Sequence, residues 1–524
     1  MDLSAALHEH FGFGGFRPGQ REAVQAALSD RDVLVVMPTG SGKSLCYQLP
    51  ALVRDDLTVV VSPLVSLMHD QVAALRVRAP GRVALINAQQ DAEANRTALA
   101  RATRGELALL YVAPERFSTP GFAERLAAAR VGLFAVDEAH CVSQWGHDFR
   151  PDYFRLAKAA RRVGAKAIVA STATATPQVA LDVVRRLGLR DPVRVSTGFD
   201  RPNLSFAVVP CRSGVDKRRR LVAALREPDA LPAIVYTGTR ASAQELSGEL
   251  RRELAEDVAV YHAGMDRGKR AAAQDAFMGG ATRVVVATNA FGMGIDKRDV
   301  RTVAHATVPP SIEAYYQEAG RAGRDGLPAR GILLAERRDK GLHVFFIERE
   351  ASQAPETLEA AASAAEAKRA RWRQFRAVWA FVQGEGCRRL AILRHFGDRS
   401  RPEPVDGVPC CDVCAPEWRP APAPAAPARA GGRPAISPPD GGDLDGAILE
   451  IVVRAKPAVG RTRAVEILRG GRSRVVRDYA YDGLPGYGAY AHLSKTDVLA
   501  RVDGMLAAGS LRSTGGQFPK LARA

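Results

Sequence analysis

The chain has little cysteine, fewer acidic than basic residues, and no long apolar runs. Of seven cysteines in 524 residues, Cys46, Cys141 and Cys211 stand apart, while Cys387, Cys410, Cys411 and Cys414 fall close together. That distribution argues against a disulfide framework and for metal ligation in a reducing compartment. No apolar run is long enough to span a bilayer, and the N-terminus lacks the basic-then-apolar pattern of an export signal, so the cytoplasm is expected. The 57 acidic residues fall short of the 74 basic ones, a net charge of +17. Such an imbalance points to a polyanionic partner, nucleic acid or an acidic membrane surface, without choosing between them. A composition 46% hydrophobic and 25% charged is that of an ordinary globular protein, and the length suggests roughly three or four domains.

What is present is organised around residues 33–50. A buried strand, Val33 to Met37, runs into Pro38-Thr39-Gly40-Ser41-Gly42-Lys43-Ser44 and then a helix-compatible run from Leu45. Small residues let successive backbone N–H groups curl around a triphosphate tail while the helix N-terminus faces the same anion. In this reading Thr39, Gly40, Ser41 and Gly42 cradle ATP, Lys43 meets its terminal phosphates and Ser44 holds Mg²⁺. The usual pattern opens with Gly; here Met37 takes that place. Upstream, Phe11 to Gln20 is a turn-rich stretch. Gln20 can match an adenine edge, and Phe13 or Arg17 can stack on its face.

Further apolar runs at Thr58–Val61, Leu107–Val112, Leu133–Val136 and Ala167–Ala170 alternate with helical patterns, which predicts a parallel sheet covered on both faces. Asp137-Glu138-Ala139-His140 follows one of these strands. At that position Asp137 can bind Mg²⁺, and Glu138 can orient or deprotonate a water. Next comes Ser143 to Tyr153, in which Trp145, His147, Phe149 and Arg150 offer ring faces and a guanidinium to single-stranded nucleic acid. Ser171 to Ala175 reads equally as a coupling element or as a helix cap before Pro177.

From about residue 201 the alternation restarts, with strands expected at Ala233–Tyr236, Val258–Tyr261, Arg283–Ala287, Thr302–His305 and Gly331–Leu334. This half has no second phosphate loop. It carries Thr288 to Asp296 and then Gln317-Glu318-Ala319-Gly320-Arg321-Ala322-Gly323-Arg324. Arg321 and Arg324 share a helical face, which suits them to reach across a cleft and neutralise a transferring phosphoryl group.

These segments, in this order over roughly the first 345 residues, resemble the RecQ family of DNA helicases in superfamily two. The aromatic loop Ser143 to Tyr153 separates that family from other DExH proteins. The resemblance implies an α/β chain of two tandem RecA-like parallel-sheet domains, 1–200 and 201–345, then a helical zinc-binding module, 346–418. A linker at 419–442 and a winged-helix domain at 443–524 would follow. It also implies ATP-driven translocation on single-stranded DNA from the 3′ towards the 5′ end, and unwinding of duplex or branched DNA in repair and recombination, with the enzyme at the bacterial nucleoid. Lys43, Asp137, Glu138, Gln317, Arg321 and Arg324 become the catalytic set, and Phe13, Arg17 and Gln20 surround adenine.

Residues 361–400 read as helical and basic, with Cys387 among them and Cys410-Cys411-Asp412-Val413-Cys414 beyond. Four thiols meet the ligand count of a tetrahedral Zn²⁺. The family's loop cysteines are more widely spaced than Cys410 and Cys411, which leaves His395 as an alternative to Cys410. Arg419 to Gly442 holds seven prolines in 24 residues, an extended tether. Helices are expected at Ala447–Arg454, Arg461–Leu468 and Thr496–Ala508, and from Asp443 on basic residues outnumber acidic ones by thirteen to eight, suiting a phosphate backbone. No further helical domain of the kind many relatives append is expected after Ala524. Two other readings remain open: an RNA helicase, and a nucleic-acid tether with a vestigial ATPase.

Overall fold

Short runs of Val, Leu, Ile and Ala bounded by turn formers become the buried strands of two parallel sheets. The computed structural model describes residues 2–63, 65–143, 145–146, 149–292, 297–351, 358–418, 443–471, 473, 475–476, 479, 481–514 and 519–524. The expectations placed on His147, on Met293 to Asp296 and on the 419–442 tether lie outside these residues. Among the described residues, no helix is long and apolar enough to cross a membrane.

The first sheet contains β1 (Val33–Val36), β2 (Leu57–Val61), β3 (Val83–Ile86), β4 (Leu109–Val112), β5 (Val131–Val136), β6 (Ala167–Thr172) and β7 (Val193–Ser196). They stand side by side in the order β3-β4-β2-β5-β6-β1-β7, every pairing parallel. Parallel neighbours need crossovers, and helices supply them, so strands are buried on both faces and read as unbroken apolar runs. β3 and β7 were not expected. β3 is only four residues long, and β7 alternates apolar with polar residues because it lies at the sheet edge with most of its side chains partly exposed.

The second sheet contains β8 (Leu204–Cys211), β9 (Ala233–Tyr236), β10 (Val258–Tyr261), β11 (Val284–Ala287), β12 (Thr302–His305) and β13 (Ala329–Glu336). Its order is β10-β11-β9-β12-β13-β8, again all parallel. β8 was missed because Ser205 and Pro210 interrupt its apolar run. Pro210 is tolerated because β8 is an edge strand, with β13 its only neighbour in the sheet.

Helices Leu358–Gln383 and Arg388–His395 follow. They belong with both sheets to one compact unit, and the residues from Asp443 on form a second. That second unit has helices Leu444–Arg454, Arg461–Leu468 and Lys495–Ala507 around a core of Ile448, Ile451, Val465, Leu468, Val498 and Val502. Its antiparallel ribbon pairs β14 (Leu511–Ser513) with β15 (Leu521–Arg523), a β-wing beside these helices.

Candidate nucleotide, nucleic-acid and metal sites

The C-terminal ends of β1, β5 and β6 lie side by side, where open parallel sheets hold their ligands. After β1 the backbone turns through Gly40 (φ +85°) and Gly42 (φ +83°), a left-handed conformation that a side chain would strain. Met37 is fully buried. Its N–H donates to the Thr172 carbonyl, and its methyl packs over Gly19, where a Cβ would stand 2.9 Å away. The position that usually holds Gly is thus used here as a packing contact. Lys43 Nζ donates to the Met37 and Pro38 carbonyls at 3.1 and 3.3 Å.

Asp137 ends β5 and is buried; its Oδ1 accepts from Ser171 Oγ at 2.9 Å, and its carbonyl accepts from Tyr153 OH at 3.1 Å. Burial pushes the Asp137 carboxyl above its ordinary range, against the opposing effects of the Ser171 hydroxyl and the Lys43 charge. Burial likewise pushes Lys43 down; the Glu138 and Asp137 charges oppose this, and the Arg324 charge adds to it. A desolvated carboxylate of this kind gains from a cation, so Asp137 suits a magnesium ion. Glu138 has a left-handed backbone (φ +46°), and its Oε2 lies 3.4 Å from His140 Nδ1, which also meets Thr172 Oγ1 at 3.0 Å. Ser171 therefore contacts Asp137 directly, and Thr172 reaches Glu138 only through His140. The helix cap falls outside that stretch, on Thr176, whose Oγ1 accepts from Val179 N–H at 3.3 Å.

The second sheet contributes the arginines. Helix Ile312–Ala319 ends in the turn that carries them. Arg324 lies over the phosphate loop, its Cγ 3.5 Å from where a Cβ on Gly40 would stand. Arg321 is buried and donates to the Gly292 carbonyl. Gln317, one turn earlier, is also buried.

The N-terminal segment reaches the same loop. Gln20 is buried, donating from Nε2 to the Ser41 and Gly42 carbonyls at 3.1 Å each and accepting from Arg17 N–H at 2.9 Å. The Arg17 guanidinium donates to the Gly40 carbonyl at 2.6 Å. Phe13 is exposed and stacks near Phe11. In this state Gln20 and Arg17 brace the phosphate loop directly.

The aromatic loop docks on the long helix Leu358–Gln383. The Arg373 guanidinium sits 3.9 Å over the Trp145 ring, and Gln374 Nε2 donates to the Trp145 carbonyl at 3.1 Å. Arg150 donates to the Pro63 carbonyl at 2.9 Å, and Phe149 packs on Phe154 with ring centres 5.1 Å apart.

The four clustered thiols converge, all within 4.8 Å of one another, with Cys387 3.5 Å from Cys410 and 3.9 Å from Cys411. A tetrahedral zinc with Zn–S bonds of ~2.3 Å needs sulfurs about 3.8 Å apart, so the set fits. Hydrogen bonding from Cys387 holds Cys411 below the ordinary thiol range, towards the thiolate a metal binds. His395 is not among the converging groups; its Nε2 meets Glu313 Oε1 at 2.8 Å. The adjacent Cys410 and Cys411 can both turn inward because this segment pairs with β8. Phe206 donates its N–H to the Cys410 carbonyl at 3.4 Å and accepts from Asp412 N–H at 3.0 Å.

Sequence reasoning missed Arg201 and Asn203, in the connection between the sheets. Arg201 donates to the Gly320, Ala322 and Gly323 carbonyls at 3.0, 2.9 and 3.2 Å and to the Thr39 carbonyl at 3.4 Å. Asn203 Nδ2 donates to the Gly323 and Leu327 carbonyls at 2.8 Å each. No periodicity or motif marks either residue.

Four family models match in succession: DEAD/DEAH box helicase over residues 17–183, helicase conserved C-terminal domain over 216–326, RecQ zinc-binding over 337–415 and RQC domain over 440–523. The chain is 39% identical to the ATP-dependent DNA helicase RecQ of Haemophilus influenzae over 78% of its own length, and spans 63% of that protein. It is 35% identical to the Bacillus subtilis protein of the same name over 98% of its length, covering 81% of that relative. In fold it is similar to the Mycobacterium smegmatis helicase Lhr bound to ssDNA and AMP-PNP, with a TM-score of 0.52, 22% identity, and coverage of 97% of this chain and 74% of that one. The converging motifs, the thiol cluster after the second sheet and these matches agree: the chain belongs to the RecQ family of ATP-dependent DNA helicases.

Proposed function

We propose that this chain hydrolyses ATP at the interface of its two sheets and uses the cycle to move along single-stranded DNA from 3′ to 5′, unwinding duplex or branched DNA. The observation that carries this reading is the meeting of Arg324 with the Gly40 backbone, beside Lys43 and the buried Asp137. Water attacks the γ-phosphorus, the bond from that phosphorus to the bridging oxygen breaks, and ADP, phosphate and a proton leave. Glu138 orients the water and takes its proton; Lys43 and Arg324 draw off charge from the γ-phosphoryl oxygens, with Arg321 and Gln317 framing the turn. Magnesium, held by Ser44 and Asp137, would neutralise the β- and γ-phosphates. Phe13, Arg17 and Gln20 define the adenine end.

Trp145, Phe149, Arg150 and the undescribed His147 form the single-strand sensor, a few residues from Glu138. The Cys387, Cys410, Cys411 and Cys414 cluster holds zinc as a structural ion, and the basic C-terminal unit offers a duplex-binding surface. A role in repair and recombination at the bacterial nucleoid follows from the family. An RNA substrate is less supported, since the named relatives are DNA helicases. Comparing ATP hydrolysis with single-stranded DNA and RNA, and unwinding of duplexes with 3′ and 5′ tails, tests the proposal. Stimulation by RNA alone, or unwinding only from 5′ tails, would contradict it.

A further inference from the structure

The connection from β7 to β8 is more than a tether. Arg201 lies within it, and the partners of its guanidinium among the described residues are backbone carbonyls: three on the turn that carries Arg321 and Arg324, one on the phosphate loop. A guanidinium is a rigid planar fork, and spending its donors on one turn fixes that turn's position and orientation together. The three bonds to Gly320, Ala322 and Gly323 are 2.9–3.2 Å, whereas the bond to Thr39 is 3.4 Å. Arg201 therefore belongs firmly to the second half of the site and reaches the first half by its longest contact. Asn203, two residues on, grips the same turn at Gly323 and Leu327 but has no bond to the phosphate loop.

We infer that Arg201 is a positioning residue for ATP hydrolysis: it sets the distance between the Arg324 turn and the phosphate loop, and so decides when Arg324 can reach the transferring phosphoryl group. This rests on the proposed hydrolysis at the composite site. The Arg201 guanidinium acts through the Gly320–Gly323 backbone and the Thr39 carbonyl. A displacement of about 1 Å in a group that must meet a reacting atom can cost ~100-fold in rate.

The test is steady-state ATP hydrolysis by the full chain with saturating single-stranded DNA, for wild type, Arg201→Ala, Arg201→Lys and Asn203→Ala, each with its melting temperature. The expected result for Arg201→Ala is a kcat about 10- to 100-fold lower with KM for ATP within about threefold. Arg201→Lys, which keeps the charge but loses the fork, should recover part of kcat. Asn203→Ala, which loosens the turn without removing the reach to Thr39, should lose less than Arg201→Ala. Wild-type kcat in a folded Arg201→Ala protein would overturn the inference. So would equal losses from Arg201→Ala and Asn203→Ala, which would make the turn's own stability the cause. If Arg201→Ala does not fold, the kcat of Arg201→Lys decides: a value equal to wild type rejects the role. Absence of hydrolysis by the wild-type protein would instead reject the function proposed above.

Discussion

Arg324 of the second half lies against Gly40 of the first, its Cγ 3.5 Å from the place a Gly40 Cβ would occupy, and its charge adds to the burial that pushes Lys43 below its ordinary range. Two cations from separate sheets thus converge on one loop. Their mutual repulsion is relieved by placing a polyanion between them, and the triphosphate of a nucleotide has that charge and shape.

Arg324→Ala is expected to lower kcat for ATP hydrolysis by about 10³- to 10⁵-fold, the range for an arginine that stabilises phosphoryl transfer. Because Arg324 comes from the opposite half, ADP affinity measured by calorimetry should change little. A variant that keeps most of its turnover would remove Arg324 from the chemistry.

Lys43→Ala should abolish turnover, with a loss of at least about 100-fold, while binding of single-stranded DNA followed by fluorescence anisotropy stays close to wild type. Retained hydrolysis would overturn the assignment of residues 38–44 to nucleotide.

Trp145→Ala should raise the concentration of single-stranded DNA needed for half-maximal ATPase stimulation by about 10-fold, the scale of one lost base-stacking surface. Arg373 competes for the same ring face at 3.9 Å, so Arg373→Ala should shift that concentration the other way. Equal values for wild type and Trp145→Ala would exclude the loop from sensing DNA.

Elemental analysis is expected to find one zinc per chain, lost in Cys411→Ser and in Cys410→Ser alike, because both sulfurs lie within the cluster that also contains Cys387 and Cys414. Full metal retention in Cys410→Ser would show that the adjacent cysteine is a bystander.

Much of this molecule was legible as sequence. β9 and β12 fall where apolar runs predicted them, since strands buried on both faces are written as continuous apolar stretches. The edge strand β10 was legible too, though its residues are partly exposed, whereas the edges β7, which alternates, and β8, which contains a proline, were not. The phosphate loop, acidic pair and arginine turn were each readable because their chemistry demands particular residue types at fixed local spacing. Arg201 carries no such mark, and only the fold brings it to Gly320 and Thr39, more than a hundred residues away in each direction along the chain. Cys410 is a similar case: local spacing favoured doubt about it, whereas the fold, which pairs its segment with β8, sets its sulfur within the thiol cluster.

That pairing has one more consequence. β8 is the outermost strand of its sheet, rich in Val, Ala and Phe, and an open apolar border of this kind invites strands from other molecules. The backbone of Cys410 to Asp412 shields it at Phe206. Stripping the thiols of their ion would then do more than loosen a local knot: it would unmask a sticky margin, and the chelated protein should self-associate at concentrations where the intact one stays dispersed.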